Sequence, residues 1–202
     1  MKKIALLLAM TAMTAPAHAA DVIDQNAPAN NAWMAGFSQR DLAQSFKQSA
    51  SNISGAGIFL QNGVGSGMSN ISISLWSLLP NQSGATLLAS ASGANSSNNH
   101  WFDVFWPAVA VTPGTTYFLV FDEDRDSYGI AGDTRNGYAN GQVFANSGFG
   151  SFPTFDYTFR TFASDSFGAV PEPATWALMV LGVGLAGAAM RRKQQAQVRF
   201  AF

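Results

Sequence analysis

The chain has 202 residues, with 11 Lys and Arg, 12 Asp and Glu, no Cys and a net charge of −1. A hydrophobic share of 48% against 11% charged residues excludes a disordered polyelectrolyte. The lack of Cys excludes a disulfide scaffold and a Cys-based zinc or redox centre. The near-neutral sum hides a segregation. Lys2 and Lys3 open the chain, and Arg191, Arg192, Lys193 and Arg199 close it. Between Ala20 and Val170 lie eleven acids and five bases, a net charge of −6. Basic ends around an acidic middle point to membrane addressing, because Lys and Arg beside apolar segments stay on the cytoplasmic side.

Residues 1–19 read as a secretory signal peptide: Met1-Lys2-Lys3, an apolar run from Ile4 to Met13, and the small-x-small site Ala17-His18-Ala19, with cleavage after Ala19. An exported domain without disulfides must be held together by burial. Residues 20–162 are expected to form that domain, an all-β, antiparallel β-sandwich of jelly-roll-like form. Residues 20–40 are weakly patterned and fit an edge strand or a loose arm. Ile71, Ile73 and Leu75 alternate with polar neighbours on one strand face. Thr116 to Phe121 is a β-branched and aromatic run after the turn signal Pro113-Gly114. Asp156 to Phe162 alternates again, though Tyr157, Phe159 and Phe162 are not in perfect register. Shorter candidates are 43–46, 56–60, 86–91, 101–106 and 142–145, giving eight or nine strands separated by Gly, Ser, Asn and Pro clusters.

Catalytic signals are sparse in this domain. His100 is its one histidine, no G-x-S-x-G elbow is present, and Glu123 is its one glutamate. A Ser-His-Asp hydrolase needs a positioned histidine base, and a glycosidase needs paired carboxylates, so the expectation is a protein that is not an enzyme. Two binding chemistries remain open. Asp122, Asp124 and Asp126 have D-x-D-x-D spacing with Asp133 at the twelfth position, a pattern of hard oxygens that suits Ca²⁺. Against it stand Ser127 at the position of the EF-hand glycine, Asp in place of the twelfth-position Glu, and the absence of flanking helical patterns. A solvated acidic turn is the competing reading. Trp76, Tyr128 and Tyr138 lie among Asn, Gly and Ser, where exposed rings would stack on sugars. Trp76 falls opposite the Ile71, Ile73 and Leu75 face. Core packing is the competing reading for these rings. The acidic domain would repel phosphates, which argues against nucleic acid.

Residues 163–170 read as a linker. The 17 residues from Ala174 to Met190 are apolar and uncharged, about 25 Å as a helix, at the short end for spanning a bilayer. Arg191-Arg192-Lys193 follows as a membrane stop, leaving 194–202 as a cytoplasmic tail. Gly182 to Gly187 matches G-x-G-x-x-G, but inside an apolar helix it reads as close helix packing rather than a dinucleotide site.

Val170-Pro171-Glu172-Pro173-Ala174-Thr175-Trp176, the apolar helix and the basic cluster occur in order over 170–193. This resembles the PEP-CTERM sorting signal of Gram-negative bacteria, in which Pro171, Glu172 and Pro173 would form the sorting motif. The resemblance implies export across the inner membrane, a transient anchor there, and processing near the motif by exosortase. It also implies delivery to the cell surface or an exopolysaccharide matrix such as a biofilm. The physics agrees: two prolines keep the segment extended and outside any sheet, open to a processing enzyme, with the Glu172 carboxylate as a handle. The stretches Trp101 to Tyr117 and Asp156 to Phe162 are similar to the small ectodomains that accompany such signals, which implies a sandwich and a surface location. The expected product is a non-enzymatic matrix or surface protein. The alternative is a carbohydrate-binding module with a structural calcium site.

Overall fold

In a computed structural model of the chain, residues 21–61, 67–165 and 179–188 are described. The first two stretches belong to one compact unit, built as two antiparallel sheets packed face to face. Thirteen strands compose it: β1 (Asp21–Ala27), β2 (Ala32–Gly36), β3 (Leu42–Lys47), β4 (Asn52–Gln61), β5 (Ser69–Trp76), β6 (Leu87–Asn95), β7 (His100–Ala110), β8 (Thr116–Glu123), β9 (Gly129–Asp133), β10 (Val143–Ala145), β11 (Gly150–Phe152), β12 (Asp156–Tyr157) and β13 (Phe159–Ser164). In the first sheet β4 lies beside β7 on one side and beside β13 and β9 on the other, with β1 and β2 outermost. The second runs β11-β10-β3-β8-β5-β6.

Alternation along each strand selects the core. Ile71, Ile73 and Leu75 are fully buried, while Phe102, Val104 and Trp106 point inward from β7. They meet Ile53, Ile58 and Leu60 of β4, Leu119 and Phe121 of β8, and Phe159 of β13. At about 25 cal/mol per Å² of apolar surface removed from water, this burial supplies the stability that disulfides would otherwise add. The arm expected at 20–40 is ordered as β1, β2 and a 3₁₀ turn, Phe37–Gln39, because β1 finds β13 and β2 finds β9. The break in alternation near residue 158 is real: β12 ends at Tyr157, and Thr158 donates its N–H to the Ala131 carbonyl while accepting from the Phe59 N–H. The linker predicted from 163 begins later, since Ala163 and Ser164 are still in β13 and Ala163 is buried.

Asp21 pairs with Ser164, so the chain enters and leaves the sandwich at one end. Asn52 clasps that end, donating its amide to the Ser164 carbonyl and accepting the Ser164 N–H at 2.8 Å. The acidic loop lies at the other end of β8 from the 111–115 turn, which bonds Gln48 and Ser51 beside this clasp. Along the eight residues of β8 that is about 23 Å.

Residues 179–188 form a helix with exposed side chains. No helix among the described residues is long and apolar enough to cross a membrane. The predicted signal peptide at 1–19, the sorting motif Pro171, Glu172 and Pro173, the stop Arg191, Arg192 and Lys193, and the ends of the predicted span 174–190 lie outside the described residues.

Candidate binding surfaces

The acidic loop closes the distal end, and its carboxylates are divided among structural tasks. Glu123 is buried, and its oxygens accept the Ser127 N–H at 2.9 Å and the Tyr128 N–H at 3.0 Å, tying the loop to itself. Asp124 accepts from the Asn70 N–H at 3.0 Å and from its side-chain amide, fixing β8 to β5. Asp122 and Asp126 are exposed, and with Asp41, Arg40 and Phe37 they line an open cleft. Asp133, the expected twelfth-position ligand, is at the far end of β9 and is held by Asn31 and by Arg135, whose Nε lies 3.2 Å away. Desolvation pushes its carboxyl up, but the bonds from Arg135 and Asn31 outweigh that and hold it below the usual carboxylate range. Among the described residues no group of three or more acidic or histidine side chains could hold a metal ion. The calcium arrangement expected for Asp122, Asp124, Asp126 and Asp133 is therefore not assembled. Five residues separate β8 from β9, and Asp133 ends β9 instead of closing the ring.

The rings expected to bind sugars are placed differently from the expectation. Tyr128 is buried, and its hydroxyl donates to the Gly67 carbonyl at 2.7 Å. Tyr138 is buried beside Phe159, edge-on at 5.1 Å, and its hydroxyl donates to Gln25 Oε1 at 2.8 Å. Neither ring offers a stacking face to solvent. Trp76 does face away from the main core, but it is half-buried on a second apolar cluster with Ala43, Leu79, Phe118 and Phe144, and its Nε1 donates to Ser74 Oγ. His100 opens β7 opposite Leu60, with its Nδ1 buried and unpartnered.

The outer face of the first sheet carries further aromatic rings, from β7 and β13. Strand parity puts Trp101, Asp103 and Phe105 outward while Phe102, Val104 and Trp106 go inward. Across the sheet, Asp103, Gly57 and Arg160 share one row, and Phe105, Gly55 and Phe162 share the next. The glycines let the flanking side chains meet over the central strand. A Cβ on Gly55 would stand 2.6 Å from the Val104 carbonyl and 2.7 Å from the Phe105 ring. Over Gly57, Arg160 grips both oxygens of Asp103, Nε to Oδ1 at 2.8 Å. Its guanidinium also lies 4.2 Å from the Trp101 ring centroid, a cation–π contact. Phe105 is 50% exposed and packs 4.9 Å from Phe162. The signal for this face was available in β7: Trp101 and Trp106 are five residues apart, and an odd separation places them on opposite faces.

Between the sheets runs a buried polar chain. Gln44 donates to Asp156 Oδ1 and accepts the Tyr157 N–H, while Asp156 Oδ2 accepts the Tyr138 N–H at 3.0 Å. Burial pushes the Asp156 carboxyl up, against the lowering effect of these donors. The folded state thus binds this proton more tightly than the unfolded chain. The stabilisation is complete below the ordinary carboxylate value and is lost as pH rises through the raised one. The melting temperature of the wild type should therefore fall across that window, and Asp156→Asn should flatten the fall. An identical pH profile in the two proteins would contradict this assignment.

Residues 169–193 match the PEP-CTERM protein-sorting motif. No curated protein and no solved structure matches the chain. The C-terminus thus carries a sorting signal that marks an exported protein handled by exosortase, and it is joined to a β-sandwich domain.

Proposed function

We propose that this chain is a non-enzymatic surface or matrix protein of a Gram-negative bacterium. It would be exported through its signal peptide, anchored briefly in the inner membrane by 174–190, and cut by exosortase near Pro171-Glu172-Pro173 for release into an exopolysaccharide-containing envelope layer. The observation that carries this reading is the sorting motif at 169–193. The fold supports it in two ways. The last strand of the sandwich ends at Ser164, so the motif follows it in sequence and supplies no strand to the described domain. Both address segments attach at the Asp21–Ser164 end, and the acidic loop lies at the other, so the densest negative charge is remote from the attachment points.

The pairing order supports a jelly-roll reading of the sandwich. Strands β2-β9-β4-β7 form one four-stranded set and β3-β8-β5-β6 the other. Successive strands from β2 to β9 alternate between the two sets except at β5 and β6, which pair as neighbours within one set, an order that fits a jelly roll.

A carbohydrate-binding role is the second reading, favoured by the rings of Trp101 and Phe105 on one outer sheet face around the Arg160–Asp103 pair. Retention of the mature protein on exopolysaccharide purified from its own cells tests the matrix association. Retention by the wild type and its loss in Phe105→Ala would support the second reading as well. No retention of either would remove the exopolysaccharide part of the proposal.

A further inference from the structure

An outermost strand offers its unpaired N–H and C=O groups to any chain that can lie beside it. Most edges of this sandwich are guarded. β1 carries Asp21 and Asp24 and a bulge between Ile23 and Gln25. β2 is broken by a bulge between Trp33 and Ala35, and β7 by Pro107 and an irregularity opposite Ile53 and Gly55. β11 and β12 have only 3 and 2 residues. β6 differs. It is the outermost strand of the second sheet, and among the described residues it pairs with β5 alone. Its sequence, Leu87-Leu88-Ala89-Ser90-Ala91-Ser92-Gly93-Ala94-Asn95, holds no charge and no proline. From Ala89 to Asn95 it runs in unbroken register along Leu75 to Ser69.

Parity assigns the free groups on this edge. The Asn70 carbonyl accepts the Asp124 N–H, so the backbone of Asn70 faces β8. In an antiparallel ladder the N–H and C=O of one residue point to the same side, and successive residues alternate. Ile71, Ile73 and Leu75 therefore face β6, where they oppose Gly93, Ala91 and Ala89. The intervening Ser90, Ser92 and Ala94 turn their N–H and C=O groups away from β5, and all three residues are exposed. Their side chains are small, as are those of Ala91 and Gly93 between them, so a second backbone can approach to ladder distance.

We infer that β6 is a self-pairing edge, joined antiparallel to the same strand of a second copy about a two-fold axis at Ser92. Ser92 then opposes the partner's Ser92, and Ser90 opposes the partner's Ala94. Each pair exchanges both of its N–H···O=C bonds, and the two second sheets become one. Charge selects this arrangement. The chain between its basic ends is acidic, and its acidic loop lies in register with the Ala94 end of β6, because Asp124 bonds Asn70 and Asn70 opposes Ala94. The two-fold sends the two loops to opposite ends of the seam. Those ends are about 14 Å apart, beyond the roughly 8 Å over which charges act at physiological salt. Parallel pairing would set the loops side by side. A two-fold contact consumes both β6 edges, and the remaining edges are guarded, so pairing stops at the dimer. The inference rests on the sandwich alone, so its failure would leave the processing proposal untouched.

The test uses the protein isolated from the cells that make it, held in detergent so that any C-terminal helix it retains is accommodated. Sedimentation should show a monomer–dimer equilibrium. Ser92→Lys and Ser92→Glu each set like charges against one another at the axis, and each should weaken the dimer about threefold or more. Ser92 is exposed, so both variants should melt as the wild-type monomer does. Mixing the two variants should restore the dimer as a heterodimer, since opposite charges then meet. Ser92→Cys should cross-link on mild oxidation, because the Cα atoms of such a pair stand about 5.5 Å apart, within disulfide range. The chain has no native Cys to compete. Val22→Cys, on the guarded β1 edge, should not cross-link. A protein that stays monomeric at millimolar concentration would overturn the inference. So would a dimer indifferent to charge at Ser92, which would place the contact elsewhere, or equal cross-linking through Val22→Cys.

Discussion

Replacing Pro171, Glu172 and Pro173 together with alanine is expected to hold the whole pool of this protein at the membrane, unprocessed. Proline is disfavoured within helices and cannot donate to a sheet, and alanine, the best helix former, removes both restraints. The change also removes the carboxylate proposed as the handle for exosortase. The apolar helix and basic cluster would be intact, so insertion should proceed normally. Fractionation followed by immunoblotting checks this: the variant should be confined to the membrane fraction. An unchanged surface pool would show that the motif at 169–193 is not what directs processing.

The second large effect concerns stability. Phe159 is fully buried, lies 6.2 Å from Phe46 and 5.1 Å from Tyr138 by ring centroids, and pairs with Ile58 and Ala27 on its two neighbouring strands. It joins the strands that close the sheet around β13. Phe159→Ala is expected to cost about 3–5 kcal/mol, a large share of the roughly 5–15 kcal/mol typical of a native domain. The melting temperature should fall by about 6–20 °C. Phe159→Leu, which keeps most of the volume, should cost less than about 1.5 kcal/mol. Equal loss in the two variants would mean that cavity formation is not the mechanism.

These residues show which parts of the molecule could be read from the chain. β5 was legible because Ile71, Ile73 and Leu75 alternate with polar neighbours, and the same parity decides their burial. β8 was legible from its composition and the turn before it. β9 was not, because Gly-Ile-Ala-Gly-Asp carries no periodic signal. Its glycines are explained only by the fold. A Cβ at Gly132 would stand 2.5 Å from the Asp156 carbonyl, and at Gly129 it would strike the Trp33 ring. β1 was illegible for a related reason, since its partner β13 is more than 130 residues away.

Sorting was the most legible function, because motif, helix and basic end are contiguous in sequence. Binding sites in the sandwich were the least legible. Tyr128 and Tyr138 sit among polar residues in the chain, yet distant partners bury them: the Gly67 carbonyl for one and Gln25 for the other. The acidic spacing at 122–126 suggested a metal loop, but Asn70 and the loop's own N–H groups take the carboxylates of Asp124 and Glu123. Strand parity alone would have turned Trp101 and Phe105 outward. The glycine row that lets their face close over β4 needed the register.

The mass of the mature protein, isolated from the cells that make it, tests the central claim most directly. The mature chain should begin at Ala20 and end near Pro171-Glu172-Pro173, lacking the apolar helix and Arg191-Arg192-Lys193. A mature pool with an intact C-terminus through Phe202 would contradict it.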